Sequence, residues 1–270
     1  TILELNDFRI GGREGNPSIA YFKGNIDDVR IYNRALNACE VEALYNEINE
    51  TCNIDLESGL VANYPFNGNA NDESGNENHG TVNGATLTTD RFGNENRAYD
   101  FDGINDYLNM GNPASLNMDS AISISAWFKF EGSVGEIIIN KEGEYEIAVF
   151  TDKTIGYAIA DSNNNWGWVN TNYTINLNEW YYISLTFSIL EQKIKFYING
   201  ELIFEQAKSD VIGDTISQND FRIGGRQFSN AYFKGNIDDV RIYNRALSIC
   251  EVQALYNENQ FSEIAQICGN

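Results

Sequence analysis

The acidic pair Asp238-Asp239 stands inside GNIDDVRIY, a stretch that otherwise has the composition of a β-strand. Side chains two residues apart in a strand share a face, so Asp238 would lie with Val240 and Ile242 on the inward side. A buried carboxylate is costly unless it is paired, hydrogen-bonded or bound to a metal. Arg241 is a partner for Asp239 two residues on, whereas the sequence offers Asp238 none.

A second group of oxygen-bearing side chains occupies the loop NDESGNEN, where Asp, Ser and Asn residues stand at alternate positions. Ca²⁺ prefers such oxygen ligands, although this spacing of Gly and Glu differs from that of an EF-hand. The sequence predicts a structural Ca²⁺ site with these ligands: Asp72, Asn76, Asn78 and Asp238, with Asp27 as the equivalent of Asp238 in a repeat. The alternative is that the loop residues form Asx turns and that Asp238 accepts backbone N–H bonds.

Trp166 and Trp168 lie two residues apart in DSNNNWGWVNTNY, beside a run of asparagines. In a strand the two rings would share a face. Aromatic rings can stack on the apolar faces of sugars, and amides can hydrogen-bond to hydroxyl groups. The pair therefore predicts a carbohydrate-binding surface. The alternative is that one or both rings are core or sheet-surface residues.

Carboxylates at alternate positions also raise the question of catalysis. Glu142, Glu144 and Glu146 in KEGEYEIAV could line one strand face, as the paired carboxyl groups of a glycosidase do. In a chain with 39 acidic residues, such a run is more typical of a solvated strand face. His79 is the only histidine, and no Ser or Cys stands in a recognisable nucleophile motif. We therefore expect that the protein is not an enzyme.

The four cysteines lack the CxxC spacing of a zinc or redox site. Cys39 and Cys250 occupy equivalent positions of the repeat, and each is followed by one further cysteine, Cys52 or Cys268. We predict two local disulfides, Cys39–Cys52 and Cys250–Cys268, in an oxidising compartment. The alternative is four free thiols in a cytosolic protein.

Charge excludes several classes of partner. The chain has 18 Lys and Arg against 39 Asp and Glu, a formal net charge of -21. Nucleic-acid binding needs clustered basic residues, and so does docking on an anionic membrane. No stretch approaches ~18 consecutive apolar residues, so we expect no membrane insertion. An acidic surface suits a soluble protein that binds hard cations.

A domain-sized repeat predicts how the chain is divided. Residues 20–47 differ from residues 231–258 at three positions, namely 37, 38 and 42. The spacing far exceeds the about 20 to 50 residues of a solenoid repeat, so we predict tandem domains. The predicted segments are the C-terminal part of a preceding repeat at 1–50, a linker at 51–55, a complete domain at 56–260 and a tail with a disulfide cysteine at 261–270.

The elements that position these side chains are predicted to be strands. ISISAWFKF, EWYYISLTF and KIKFYING alternate apolar with polar or small residues. Asn199-Gly200 predicts a type I′ hairpin turn, because both central residues need a positive φ. Ser248 and Glu251 form a capping-box pattern that opens a short helix. We predict an all-β sandwich of two antiparallel sheets with a short C-terminal helix.

In order and spacing, several stretches resemble a laminin G-like domain of the concanavalin A-like lectin/glucanase superfamily. They are GLVANYPFNGNANDESGNENHGTVNGA (59–85), YDFDGINDYLNM (99–110), ISISAWFKF (122–130), NEWYYISLTF (178–187), KFYINGELI (195–203) and GNIDDVRIYNRALS (235–248). The resemblance implies a jelly-roll sandwich with neighbouring first and last strands, and a Ca²⁺ at its rim as in related domains. It argues against a glucanase, because Glu144 replaces the Asp of the E-x-D-x-E signature.

The function favoured by these features is an extracellular structural or adhesive module, stabilised by calcium, within a longer repetitive surface or filament protein. Its expected partners are neighbouring copies of the same repeat or chain, for instance through strand exchange. A carbohydrate-binding module that takes polysaccharide is the alternative. A glycoside hydrolase is the least favoured of the three.

Overall fold

The computed structural model describes residues 8–12, 21–34, 54–132, 136–213 and 218–258. The chain divides into two compact units, residues 1–48 and residues 49–270. None of the helices in the described part of the chain is long and apolar enough to cross a membrane.

The larger unit is built from antiparallel strands, as the alternating sequence patterns predict. The described strands are β1 (Leu60–Tyr64), β2 (Thr81–Asn83), β3 (Thr86–Thr88), β4 (Ala98–Asp102), β5 (Tyr107–Asn109), β6 (Ala121–Phe130), β7 (Glu136–Lys141), β8 (Tyr145–Val149), β9 (Thr154–Ile159), β10 (Trp168–Thr174), β11 (Trp180–Ser188), β12 (Lys193–Ile198), β13 (Glu201–Ala207), β14 (Phe221–Ile223) and β15 (Lys234–Tyr243). A 3-10 helix spans Ala114–Leu116, and helix α1 spans Ile249–Asn257.

The strands form two sheets. Sheet I has eight strands in the order β13-β12-β11-β6-β15-β4-β3, with β1 paired to β15 beside this path. Sheet II has seven strands in the order β10-β9-β8-β7-β14-β5-β2. The first strand therefore pairs with the last, as the resemblance implies.

One hydrophobic core fills the space between the two sheets. It takes alternate residues from strands of both, for example Tyr157 of β9 and Phe196 of β12, whose rings stack with centroids 5.9 Å apart. Burial of such large rings supplies much of the stabilisation of a sandwich. The prediction of an all-β, two-sheet sandwich is confirmed.

The outer face of sheet I is covered by α1. Val252 and Leu255 of the helix pack on Trp127 and Tyr182 of the sheet. The helix begins at a capping box in which the Ser248 hydroxyl accepts from the Glu251 backbone N–H and the Glu251 carboxylate accepts from the Ser248 backbone N–H. This confirms the predicted helix start.

Two further local predictions can be compared with the structure. Asn199 and Gly200, between β12 and β13, have φ values of 51° and 78°, which confirms a hairpin turn with two positive φ angles. Cys250 is disulfide-bonded. The other three cysteines lie outside the described residues, so the pairings Cys39–Cys52 and Cys250–Cys268 stay predictions.

The described residues of the smaller unit repeat local features of the segment that contains β14 and β15. Two equivalent residue pairs form the same isolated antiparallel bridge, Gly12–Tyr21 and Gly225–Tyr232. Asp28 has a left-handed φ of 46°, and its counterpart Asp239 has one of 44°. The two copies thus share this bridge and this left-handed residue, although residues 234–243 form strand β15 and the equivalent residues 23–32 do not form a strand.

Burial differs between the two copies of this segment. Ile26, Val29 and Ile31 are 46%, 49% and 69% exposed. Their counterparts in β15 are fully buried: Ile237, Val240 and Ile242. The same apolar residues therefore complete a core in the larger unit and face solvent in the smaller one.

Candidate functional site

The outer face of sheet II carries a continuous row of cross-strand partners. Directly paired residues of neighbouring strands share a face, so the register defines this row. From β10 to β2 it consists of Trp168, Ala158, Glu146, Asn140, Arg222, Asn109 and Thr81.

Alternation along the strands places this row away from the core. In β8, Tyr145, Ile147 and Val149 pack between the sheets, so Glu146 lies on the opposite face. In β10, Val169 packs against the core, which turns Trp168 outward. Regular alternation therefore places the row on the outer face of the sheet, and the row is not a break in the hydrophobic pattern.

Aromatic side chains gather at the β10 end of the row. The Trp168 ring lies edge-on to Phe150 at 5.6 Å between centroids and edge-on to Trp166 at 6.4 Å. Phe150 lies over Gly156 of β9, where an added Cβ would be 2.3 Å from its ring. The absence of a side chain at Gly156 thus makes room for the Phe150 ring. We call Phe150, Trp166 and Trp168 the aromatic cluster.

Buried polar groups follow at the centre of the row. Asn140 Nδ2 donates to Glu146 Oε1 at 2.9 Å, and both side chains are fully buried. Asn140 Oδ1 and Glu146 Oε2 are buried without a hydrogen-bond partner among the described residues. Such acceptors cost free energy unless a donor reaches them, so they call for a ligand or a water.

Arg226 and Glu142 lie beside this centre and remain part-exposed. The Arg226 guanidinium forms a bidentate pair with Glu142, with Nε donating to Oε2 at 2.7 Å, and its Nε lies 3.3 Å from Glu146 Oε1. Burial raises the pKa of Glu146 to about 8, and Arg226 opposes that shift. A carboxyl group with a pKa raised in this way can hold a proton near neutral pH, and it then donates as well as accepts.

A second aromatic group lies toward the β5 end of the row. The Arg222 guanidinium stacks over the Tyr107 ring at 4.5 Å and also pairs with Asp220. Tyr107 and Tyr232 have ring centroids 6.4 Å apart. The outer face of sheet II thus has aromatic rings toward both ends and hydrogen-bonding groups between them.

The predicted calcium loop is held together by its own hydrogen bonds. Asp72 Oδ1 accepts from the backbone N–H groups of Asn63 and Ser74, at 2.9 and 2.8 Å. Asp72 Oδ2 accepts from the Asn78 backbone N–H at 3.0 Å and from the Ser74 hydroxyl at 2.9 Å. The carboxylate therefore already has four donors.

The loop amides have similar roles. The side-chain amides of Asn76 and Asn78 donate to the Val61 carbonyl at 3.1 and 2.9 Å. His79 Nδ1 accepts from the Asp72 backbone N–H at 3.1 Å. These contacts are the Asx-type loop bonding that the sequence left open as the alternative.

Asp238 lies in a different network. It pairs with Arg91 at 2.7 Å, and the same guanidinium pairs with Asp239 at 2.7 Å. Arg91 is itself buried and stacks 4.5 Å from the centroids of the Phe92 and Trp127 rings. Burial and the neighbouring Asp239 raise the pKa of Asp238, and Arg91 opposes that shift.

The predicted orientation of the acidic pair is wrong. A β-bulge lies between Asp238 and Arg241, with Asp239 at a φ of 44°. Asp238 therefore pairs with Trp127 on the outer side of sheet I, while Val240 points into the core. Asp239 forms its ion pair with Arg91 and not, as predicted, with Arg241, which pairs with Glu258 at 2.6 Å. Asp239 still acts on Arg241 at longer range, since, against the effect of burial, its charge helps to raise the pKa of Arg241.

These contacts do not favour calcium at the predicted ligands. Asp72 and Asp238 have separate protein partners, and a guanidinium already stands where a cation would compensate Asp238. Asp27, the counterpart of Asp238, is exposed and accepts from the Asp28 backbone N–H at 2.9 Å. Within the described residues, no three His, Cys, Asp or Glu side chains are grouped as for a metal ion. Calcium binding itself stays an untested prediction.

The structure brings the predicted tryptophan pair together, with ring centroids 6.4 Å apart, but most residues around it carry no signal in the sequence. The sequence pattern does not indicate Asn140, Phe150, Arg222 of the row or Arg226 beside it. These residues come together through the pairing register of five strands, β10, β9, β8, β7 and β14. The order of residues along the chain does not show that register. The expectation of a solvated glutamate run is wrong, because Glu144 and Glu146 are fully buried.

Comparison with known proteins agrees with this architecture. A laminin G family model, described as concanavalin A-like lectin/glucanases superfamily, matches residues 2–42 and 101–253. The chain belongs to this superfamily. No curated protein matches the chain in sequence.

Several solved structures with low sequence identity to this chain share the superfamily fold. Domain 4 of AbnA, a GH43 extracellular arabinanase from Geobacillus stearothermophilus in complex with arabinotriose, has 21% identity and a TM-score of 0.60 over 74% of this chain and 98% of that one. The binding domain of Paraclostridial Mosquitocidal Protein 1 has 19% identity and a TM-score of 0.64 over 76% and 53% of the two chains.

A third structure is the ligand binding domain of botulinum neurotoxin serotype D in complex with N-acetylneuraminic acid. It has 19% identity and a TM-score of 0.57 over 74% of this chain and 51% of that one. The chain spans about half the length of the two toxin domains. At these identities the likeness shows the concanavalin A-like fold alone.

Proposed function

We propose that the larger unit is a carbohydrate-binding module whose site is the outer face of sheet II. The observation that carries this proposal is the row in which the aromatic cluster around Trp168 continues into the buried pair Asn140 and Glu146. Sugar sites combine apolar rings with a few fixed hydrogen-bonding groups. The row has both, side by side across neighbouring strands.

The aromatic end supplies the stacking surface. Trp168 and Phe150 are partly buried and packed edge-to-face, so their rings lose little freedom when a ligand binds. A pyranose or furanose has an apolar face of C–H groups that can lie against such rings. Trp166 extends the same surface at 6.4 Å from Trp168.

The centre supplies the hydrogen bonds. Asn140 Oδ1 and Glu146 Oε2 have no partner among the described residues, and a sugar hydroxyl can both donate and accept. Hydroxyl groups therefore suit Glu146 in either protonation state. Arg226 and Glu142, which are part-exposed, would meet the ligand first.

The charges favour a neutral sugar over an anionic one. Arg226 is neutralised by Glu142, and Arg222 is paired with Asp220. An anionic ligand would have to displace these carboxylates and would also meet a chain of net charge -21. We expect neutral oligosaccharides to bind and sialylated or uronic ones to bind more weakly.

Binding without catalysis fits the same arrangement. Glu142 is held in a bidentate pair with Arg226 and lies in a turn. It is therefore not free to act as the nucleophile of a glycosidase in which Glu146 would be the acid. The similar solved structures are described as a binding domain and as domain 4 of an extracellular arabinanase in complex with arabinotriose. We place the protein outside the cell, where the disulfide at Cys250 is stable.

Loss of neutral oligosaccharide binding after replacement of Phe150 and Trp168 is the experiment that tests this function. Retention of sugar binding by that double variant would move the site elsewhere in the molecule.

A role as a structural repeat is the second candidate, and one observation favours it. Ile26, Val29 and Ile31 are exposed, although the same residues in β15 complete a core. A tandem array would bury them against strands of another laminin G-like sequence. Light scattering of the full chain tests this role: concentration-dependent assembly supports it, and a discrete monomer at all concentrations argues against it.

A further inference from the structure

A lysine lies inside the sandwich at the end of β7. Lys141 is fully buried, and its register partners Phe221 of β14 and Tyr145 of β8 are fully buried core residues. A lysine in such surroundings is rare, because transfer of an ammonium ion from water is costly.

Three acceptors from the described part of the chain lie around the Lys141 ammonium group. Nζ donates to Asn112 Oδ1 at 2.7 Å and to the Asn219 carbonyl at 3.0 Å, and it lies 3.3 Å from Glu144 Oε1. Glu144 is also fully buried. A tight turn fixes it there, since Glu144 N donates to Lys141 O at 3.0 Å and Gly143 has a φ of 80°.

A fully buried amine and carboxyl group are thus held against the carboxamide of the half-buried Asn112. We propose that Lys141 and Asn112 join in an intramolecular isopeptide bond, with Glu144 as the proton carrier. Nothing in the carbohydrate-binding proposal requires this bond, and the two proposals can fail separately.

The chemistry balances with these three side chains alone. The ammonium passes one proton to Glu144, since a neutral amine and a neutral acid are favoured over an ion pair in a medium of low dielectric constant. The Nζ lone pair then attacks Cγ of Asn112, forming the new C–N bond. The acid donates its proton to the amide nitrogen, the old C–N bond breaks and ammonia leaves. Nζ loses a second proton to Glu144, which restores the acid.

Two features of the chain suit this reaction. Asn112 is followed by Pro113, which has no backbone N–H, so the competing attack of the next backbone nitrogen on the side chain is blocked. The product would tie the segment after β5 to the end of β7, two strands that β14 separates in sheet II. Such a bond would staple the sheet that carries the proposed sugar site.

Intact mass spectrometry of the reduced, denatured full chain tests the proposal. We expect a mass about 17 Da below that of the sequence, for the loss of one ammonia. Trypsin should fail to cleave after Lys141, and a branched peptide should join it to Asn112. Asn112→Asp should reach the same final mass as the wild type, because it forms the same bond by losing water.

Glu144→Gln keeps the size and hydrogen bonding of the side chain but cannot carry the proton, so it should show the full mass of its sequence. Circular dichroism establishes that the variant is folded. A full mass and normal cleavage after Lys141 in the folded wild type would overturn the proposal and leave Lys141 a buried ion-pair partner. An equal mass loss in Lys141→Met would place the lost ammonia elsewhere and overturn it too.

Discussion

Asn140 on β7 and Glu146 on β8 face each other directly, and the amide donates to the carboxyl group at 2.9 Å. Burial raises the pKa of Glu146 to about 8 from its usual value near 4.5. Between these two values the folded protein binds a proton that the unfolded chain has lost. The contribution of Glu146 to stability therefore falls as the pH rises through this window.

Replacement of Glu146 by Gln should remove this pH dependence. We expect the stability of the wild type relative to Glu146→Gln to fall by up to roughly 1 kcal/mol per pH unit between about pH 5 and about pH 8. Thermal unfolding of both proteins across this range measures the difference. Arg226 and Glu142 face the same group, so the comparison is made between variants that keep both.

The matched control is Glu201→Gln, because Glu201 is exposed on β13. Its stability difference from the wild type should stay constant over the same pH range. If the stabilities of the wild type and of Glu146→Gln changed in parallel with pH, a raised pKa at Glu146 would be contradicted.

Arg91 is the cation that holds the acidic pair of β15. Its guanidinium bonds Asp238 and Asp239 at 2.7 Å each, inside a site formed with Trp127. Arg91→Ala would leave a buried carboxylate uncompensated, and we expect a loss of about 3–5 kcal/mol in the free energy of unfolding. The loss should be larger near neutral pH than in acid, where Asp238 can be protonated.

Lys193→Ala is the control for this prediction. Lys193 pairs with Glu205 at 2.6 Å, but both side chains are largely exposed. We expect a change of less than about 1 kcal/mol in chemical denaturation, because an exposed pair gains little. Equal effects of the two substitutions would show that the Arg91 contacts are not buried as described.

Calcium binding can be measured independently of any site. Asp72 already accepts four hydrogen bonds, and Arg91 already compensates Asp238. With these partners in place, we expect the melting temperature to be the same in calcium and in EDTA. A clear calcium-dependent rise that Asp72→Asn or Asp238→Asn removes would establish the calcium site that the sequence predicts.

The cysteine pattern predicts two local disulfides. Cys250 is disulfide-bonded, in agreement with an oxidising compartment. Peptide mapping without reductant should recover Cys250 linked to Cys268 and Cys39 linked to Cys52. Alkylation of the unreduced, denatured chain should label no cysteine. Any other pairing, or free thiols, would contradict the prediction.

Local patterns in the sequence predicted the fold well. Alternation gave the strands, Asn199-Gly200 gave a hairpin turn, and Ser248 with Glu251 gave the helix start. Each of these signals depends on a few adjacent residues and on backbone preferences that tertiary contacts here reinforce.

The acidic pair shows why side-chain environment was harder to predict. The alternation rule assumes a regular strand, but the bulge at Asp239 reverses the face on which Asp238 lies. Its partner Arg91 is 147 positions away in sequence. Neither the bulge nor a contact of that separation leaves a signal near residue 238.

The candidate site shows the same limit. Trp166 and Trp168 were predicted as a pair because they are near in sequence. Asn140 and Arg226 join them only through the pairing of β10, β9, β8, β7 and β14. Local patterns in a single sequence indicate where the strands are, but they do not indicate the order in which the strands pair.

Isothermal titration calorimetry with a panel of neutral oligosaccharides and one sialylated oligosaccharide tests the central claim most directly. We expect a neutral member to bind the wild type, and Phe150→Ala with Trp168→Ala to weaken that binding by at least about tenfold, or ~1.4 kcal/mol. Leu190→Ala, an exposed apolar position in the turn after β11, should bind as the wild type does. Unchanged affinity in the double variant, or a panel in which no neutral sugar binds, would contradict a carbohydrate site on the outer face of sheet II.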